Sequence, residues 1–114
     1  MLYYIFKNLR TVTVNYKTIR RMKWNDFNCN VVRNSYSNGR IALQLFDSED
    51  GMPVATATVN IPEYDLKEDQ VLIKSWSENA GLADALVREG FIGPEISKVN
   101  TGHAYATLHK LLYL

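Results

Sequence analysis

Alternating apolar and polar residues predict strands through most of the chain, because successive side chains of a strand point to opposite faces of a sheet. In residues 54–61, Ala57 and Val59 are expected to point inward and Thr58 outward, and Pro62 ends the strand because it lacks a backbone donor. The predicted strands span residues 11–16, 31–36, 40–47, 54–61, 71–74 and 103–112. The apolar residues of segment 17–30 match neither the two-residue period of a strand nor the 3.6-residue period of a helix, so this segment is interpreted as a loop or a short helix.

Two turn sequences connect the central strands. Ser37-Asn38-Gly39 is a hairpin signal, because asparagine and glycine tolerate the positive φ angles of tight turns. The polar run at residues 47–51 reverses the chain again. Together they predict three consecutive antiparallel strands that form a meander.

One helix is predicted, over residues 75–89. Ser75 and Glu78 have the three-residue spacing of a capping box, and Ser77 is the alternative N-cap. Its apolar stripe consists of Leu82, Ala83, Leu86 and Val87. Gly90 suits the left-handed position that ends a helix. These elements define an α+β fold, an antiparallel β-sheet packed with one main amphipathic α-helix.

Composition fits this picture of one domain over residues 1–114. The chain has 114 residues, of which 46% are hydrophobic and 22% charged, and no apolar run is long enough to cross a bilayer. Its single cysteine, Cys29, cannot form an internal disulfide, which favours a reducing cytoplasm. The sheet edges also make a homodimer an expectation.

Charge is unevenly distributed between the two halves. Residues 1–40 contain eight basic residues and one acidic residue, whereas the remainder contains eleven acidic and five basic residues. The halves could neutralise each other within one fold, or they could form separate basic and acidic faces for partners. The basic part, residues 1–33, also carries aromatic residues that could stack on bases, so nucleic-acid binding is a third hypothesis.

No constellation of residues predicts catalysis, a metal site or a cofactor. His103 and His109 are six residues apart on one predicted strand, which is about 20 Å and too far to share an ion. Cys29 has no nucleophile motif around it, so it is interpreted as a packing residue. The acidic run at residues 47–51 lacks the length of a calcium loop.

A small-ligand site is a further hypothesis. Arginines beside a glycine turn can hold an anion, and an aromatic side chain can stack on a ring. The candidate residues are Arg33, Tyr36, Asn38, Arg40 and Trp76. They would bind a nucleotide-like signalling molecule and sequester it without chemistry.

A pattern of short motifs covers about residues 34–91. The motifs are Ser37-Asn38-Gly39-Arg40, Gln44-Leu45, Asp47, Glu49-Asp50-Gly51, Ala55-Thr56-Ala57-Thr58-Val59-Asn60, Pro62, Val71, Ile73-Lys74, Ser77-Glu78-Asn79, Gly81 and Ala85-Leu86-Val87. This stretch resembles a family of small uncharacterised proteins carried by phages and mobile genetic elements. The family has no assigned activity, so no catalytic residue is carried over.

The resemblance implies a setting in which small proteins act by binding in the cytoplasm of a bacterial host. The main hypothesis is therefore a non-enzymatic counter-defence protein that binds and inhibits a host defence protein complex. Its acidic loops would mimic the charge of nucleic acid against a basic partner. The candidate protein-binding residues are Glu49, Asp50, Asp65, Glu68 and Asp69.

Overall fold

Two antiparallel sheets and one short helix make up the fold, and the computed structural model describes residues 19–112. Sheet A has the order β1-β2-β3-β4 and comprises β1 (Ile19–Trp24), β2 (Phe27–Ser35), β3 (Ile41–Asp47) and β4 (Pro53–Thr56). Sheet B has the order β5-β7-β6 and comprises β5 (Gln70–Lys74), β6 (Ser97–Asn100) and β7 (Tyr105–Lys110). The α+β class is confirmed, with α1 limited to Leu82–Arg88. The predicted strand at residues 11–16 lies outside the described residues.

The first hairpin of sheet A replaces the predicted loop or short helix at residues 17–30. Asn25, with φ of 53°, and Asp26 form a two-residue turn, and Trp24 pairs with Phe27 across it. Asparagine tolerates this left-handed conformation, which matches the twist of the two strands. Met22 and Cys29 are also paired, and both are buried. The hairpin therefore contributes one apolar face to the core.

Strands β2, β3 and β4 form the predicted meander. Gly39 adopts a φ of 86° in the turn between β2 and β3, as a glycine can. Strand β4 is shorter than predicted, because its regular pairing with β3 ends at Thr56. A register shift between Leu45 and Phe46 lies at the other end of β4, next to Pro53. The expectation that Thr58 points to solvent is wrong, since only 2% of its surface is exposed.

The segment at residues 57–59 joins the two sheets. The Ala57 N–H donates to the Leu43 carbonyl oxygen at 2.8 Å, on the sheet A side. On the other side, the Lys74 N–H donates to the Ala57 carbonyl oxygen and the Val59 N–H to the Leu72 carbonyl oxygen. At this point the chain stops pairing with β3 of sheet A and begins to pair with β5 of sheet B. Residues 54–61 therefore do not form one unbroken strand.

The helix begins later than predicted because the chain turns twice before it. Ser77 has a φ of 54° at the start of a short 3-10 turn, and Gly81 has a φ of 84° at the N-cap of α1. The predicted capping box is absent, and Ser75 Oγ is buried without a hydrogen-bond partner among the described residues. Gly90, with φ of 82°, ends the helix as predicted.

Sheet B is covered on both faces. On one face, β5 and the helix pack with sheet A through the main core, which includes Leu43, Leu45, Ile73, Leu86 and Phe91. On the opposite face, Leu72 and Leu108 pack against the segment between the sheets. The predicted last strand is β7, and its partner β6 was not anticipated because it has only four residues.

Candidate functional site

The five predicted acidic residues fall into two groups at opposite ends of β3. Glu49 and Asp50 lie in the turn after β3, whereas Glu68 lines a cleft beside Ile41, the first residue of β3. Asp65 and Asp69 flank Glu68 in the segment before β5. Because a seven-residue strand is about 20 Å long, the two groups do not form one surface.

The first group lies beside exposed apolar side chains. Phe27 is 43% exposed and Met52 is 62% exposed. The Ser48 N–H donates to the Asn28 carbonyl oxygen at 2.8 Å, so strand pairing continues past β3 and brings Phe27 beside the acidic turn. We call Asp26, Phe27, Glu49, Asp50 and Met52 the acidic end of sheet A; its three carboxylates are all exposed.

Local hydrogen bonds hold the turn of the acidic end in place. The Glu49 N–H donates to Asp47 Oδ1, and the Met52 N–H donates to Asp50 Oδ1, both at 2.9 Å. On the other side of the turn, the Asp47 N–H donates to the Met52 carbonyl oxygen at 2.8 Å. The Glu49 side chain is therefore carried on an ordered backbone, which reduces the entropy lost on binding.

The second acidic group adjoins basic residues. A cleft of about 450 Å³ lies between the turn at residues 37–40 and the segment at residues 66–70. We call it the basic cleft; its polar lining comprises Arg33, Asn38, Arg40, Lys67, Glu68 and Gln70. Three of the five predicted ligand-binding residues, Arg33, Asn38 and Arg40, are thus brought together, with Lys67 added.

Arg40 also has a structural role in this cleft. Its guanidinium donates to the carbonyl oxygens of Ile61 at 2.6 Å, Pro62 at 3.3 Å and Tyr64 at 2.6 Å. Three of its five N–H groups are used in this way, and the other two donate to no residue in the described part of the chain. Arg40 therefore fixes the segment between the sheets while keeping donors for a ligand.

The other two predicted ligand-binding residues lie elsewhere. The Tyr36 hydroxyl is within hydrogen-bonding distance of Thr58, at the junction of the sheets. Trp76 lines a separate, mostly apolar pocket of about 490 Å³, together with Val59, Ser77, Thr101, His103 and Ala104. A ligand in the basic cleft would therefore not stack on Trp76.

Among the described residues, the basic side chains of positions 20–40 do not form one patch. The Arg20 guanidinium lies 4.5 Å from the centre of the Phe91 ring, and its Nη2 donates to the Glu89 carbonyl oxygen. Arg21 and Lys23 alternate with buried Met22 and are exposed on the opposite face of β1. Arg33 and Arg40 line the cleft instead. Binding of nucleic acid through the basic half stays a prediction.

Within residues 19–112, no group of three or more His, Cys, Asp and Glu side chains is placed to hold a metal ion. His109 is buried and bonded to Thr107 and Gly93, whereas His103 is exposed. No helix in this part of the chain has the length and apolar character needed to cross a membrane.

Comparison of the chain with protein-family models, with curated proteins and with solved structures finds no match. Sequence reasoning missed Phe27, Met52 and Lys67. The Asn25-Asp26 turn was the available signal for Phe27, because a hairpin there places the next residue at the end of a sheet.

Proposed function

We propose that this chain is a non-enzymatic binding protein that captures a basic protein surface through the acidic end of sheet A. The observation that carries the proposal is the backbone arrangement at this end of the sheet: the Ser48–Asn28 hydrogen bond places exposed Phe27 next to the turn that carries Glu49, Asp50 and exposed Met52. Apolar anchors inside a charged rim are a common arrangement in protein interfaces. The partner surface would offer an apolar pocket bordered by lysines or arginines.

The same arrangement gives the two kinds of residue different roles. Phe27 and Met52 would supply most of the affinity, because burying an apolar side chain on binding removes its surface from water. Glu49 and Asp50 would mainly accelerate association by steering the basic partner. Asp65, Glu68 and Asp69 are not needed at this surface, because they lie at the other end of β3.

We further propose that the partner belongs to a host defence complex in the bacterial cytoplasm, and that binding inhibits it. The support for this setting is the motif pattern of residues 34–91 and what that pattern implies. The predicted homodimer is compatible with it, and light scattering of the purified protein would measure the oligomeric state.

The test is capture of a partner from bacterial lysate, its identification, and affinity measurements with the purified pair. We expect Phe27→Ala and Met52→Ala each to weaken binding about tenfold or more. Glu49→Gln with Asp50→Asn should mainly slow association, most strongly at low salt.

Two control variants make the result specific. Ile96→Ala removes a similarly exposed apolar side chain from outside the acidic end, and Asp65→Asn with Glu68→Gln and Asp69→Asn removes three charges from the other group. Both should bind normally, and urea denaturation should show that every variant is folded. Loss of binding in the triple variant with normal binding by Phe27→Ala would refute the proposal.

A further inference from the structure

The basic cleft has the size and position of a small-ligand site. Its volume of about 450 Å³ lies within the usual range of roughly 300–1,000 Å³ for such sites. It opens between the turn at residues 37–40 and the segment at residues 66–70, so it is separated from the acidic end by the length of β3.

The charged residues that line the cleft favour an anion. Arg33, Arg40 and Lys67 bring three positive charges, and Glu68 brings one negative charge, which leaves an excess of two positive charges. Arginine and lysine side chains are the usual protein groups that bind phosphate. The carboxylate of Glu68 would oppose a bound anion and lower its affinity.

The walls of the cleft are held in place before any ligand binds. The Arg40 guanidinium is fixed by the carbonyl oxygens of Ile61 and Tyr64, each at 2.6 Å. The Asn38 Nδ2 group donates to Asn60 Oδ1 at 3.1 Å. Asn38 Oδ1 accepts a hydrogen bond from the backbone N–H of Arg40 at 3.1 Å. A positive charge with a fixed position loses little conformational entropy on binding an anion.

We propose that this cleft binds a small phosphate-bearing ligand, with Arg33, Arg40 and Lys67 as the groups that recognise its charge. Asn38 and Gln70 are polar side chains of the lining that can bond to the remaining oxygens. Trp76 is not part of the site, so the ligand is recognised by its anionic group and not by stacking on that ring.

The test is calorimetric titration of the full chain with inorganic pyrophosphate, with ADP and with adenosine, all at the same ionic strength and then all again at a higher one. We expect saturable binding of pyrophosphate and ADP that weakens as salt is added, and none of adenosine. Arg33→Gln and Lys67→Gln should each weaken binding about fivefold, and Glu68→Gln should strengthen it about threefold.

The matched control is Lys98→Gln, which removes the same charge from β6, outside the cleft. Its affinity for pyrophosphate should equal that of the unchanged chain. Equal weakening by Lys98→Gln and Lys67→Gln would show a nonspecific effect of net charge and overturn the proposal. Absence of saturable binding by both anions, or adenosine binding as tightly as ADP, would overturn it as well.

Discussion

The Tyr36 hydroxyl oxygen lies 2.9 Å from Thr58 Oγ1 and 3.2 Å from the Thr58 carbonyl oxygen. Thr58 Oγ1 also accepts the Leu43 N–H at 3.2 Å. All three contacts are satisfied when Tyr36 donates to the Thr58 carbonyl and Thr58 donates to the Tyr36 oxygen. This network stabilises the segment at residues 57–59, where the chain passes from sheet A to sheet B.

Removing either hydroxyl of this pair should weaken the fold. Tyr36→Phe should lower the free energy of unfolding by about 1 kcal/mol, and Thr58→Val by about 2 kcal/mol because the buried Leu43 N–H loses its acceptor. The double variant should lose less than the sum, since the two groups interact. Urea denaturation measures all three, with Tyr105→Phe as an exposed control. Strictly additive losses would show that the pair is not coupled.

Arg40 stabilises the segment between the sheets through three carbonyl oxygens. Arg40→Gln should lower the free energy of unfolding by about 2 kcal/mol, because hydrogen bonds from a charged donor are stronger than neutral ones. Amide hydrogen exchange should accelerate at residues 63–66 in particular. Lys67→Gln, at an exposed position on the same cleft, should change stability by less than about 0.5 kcal/mol. Unchanged exchange at residues 63–66 would contradict this role.

Strands β2 and β3 could be predicted because burial alternates along each of them. Val31 on β2 and Leu43 on β3 occupy the alternate positions that the pattern assigns to the core. The first hairpin was missed because its two-residue turn separates Trp24 from Phe27, so the apolar spacing breaks at the turn. The predicted helix is longer than α1 because Ser77 and Gly81 adopt positive φ angles, which a right-handed helix cannot contain.

The candidate site was only partly predictable for a similar reason. Arg33, Asn38 and Arg40 lie close in sequence to one turn, and they line the same cleft. Lys67 joins them only through the path of the chain between the sheets, which the alternating pattern did not reveal. The five acidic residues look alike in the sequence, but their two groups lie at opposite ends of β3. The length of β3 that separates the groups is known only once the strand pairing is known.

His109 is buried and uses both ring nitrogens. Its Nδ1 lies 2.8 Å from the Gly93 carbonyl oxygen, which can only accept, so Nδ1 carries the proton. In the neutral ring, Nε2 then accepts the Thr107 hydroxyl proton at 2.8 Å.

Removing the Thr107 hydroxyl should leave the buried Nε2 of His109 without a donor. Thr107→Val should lower the free energy of unfolding by about 1–2 kcal/mol in urea denaturation. The control is Thr56→Val, because the Thr56 hydroxyl bonds to no side chain or backbone group within residues 19–112. Nitrogen NMR of the imidazole should show the proton on Nδ1 in both variants. A proton on Nε2 in the unchanged protein would exclude this network.

The thiol of Cys29 is fully buried beside Asp47, its pairing partner on β3. Burial, and to a smaller extent the negative charge of Asp47, raise the pKa of the Cys29 thiol above its ordinary value. The folded state therefore holds the thiol proton more tightly than the unfolded state does. Its contribution to stability is present below the ordinary thiol pKa and is lost as the pH rises through the raised value.

This shift predicts how Cys29 responds to alkylation and to pH. At pH 8, iodoacetamide should modify the folded chain far more slowly than the urea-unfolded chain, because the reactive thiolate is both scarce and inaccessible. The stability advantage of the unchanged protein over Cys29→Ala should shrink above about pH 8.5, where an unfolded thiol ionises. Asp47→Asn keeps the oxygen that accepts the Glu49 N–H but removes the charge, so it should lower the thiol pKa and make the pH-dependent loss of stability smaller. Equal alkylation rates for folded and unfolded chains would contradict the buried position of Cys29, and an unchanged pH dependence of stability in Asp47→Asn would remove Asp47 as a cause of the shift.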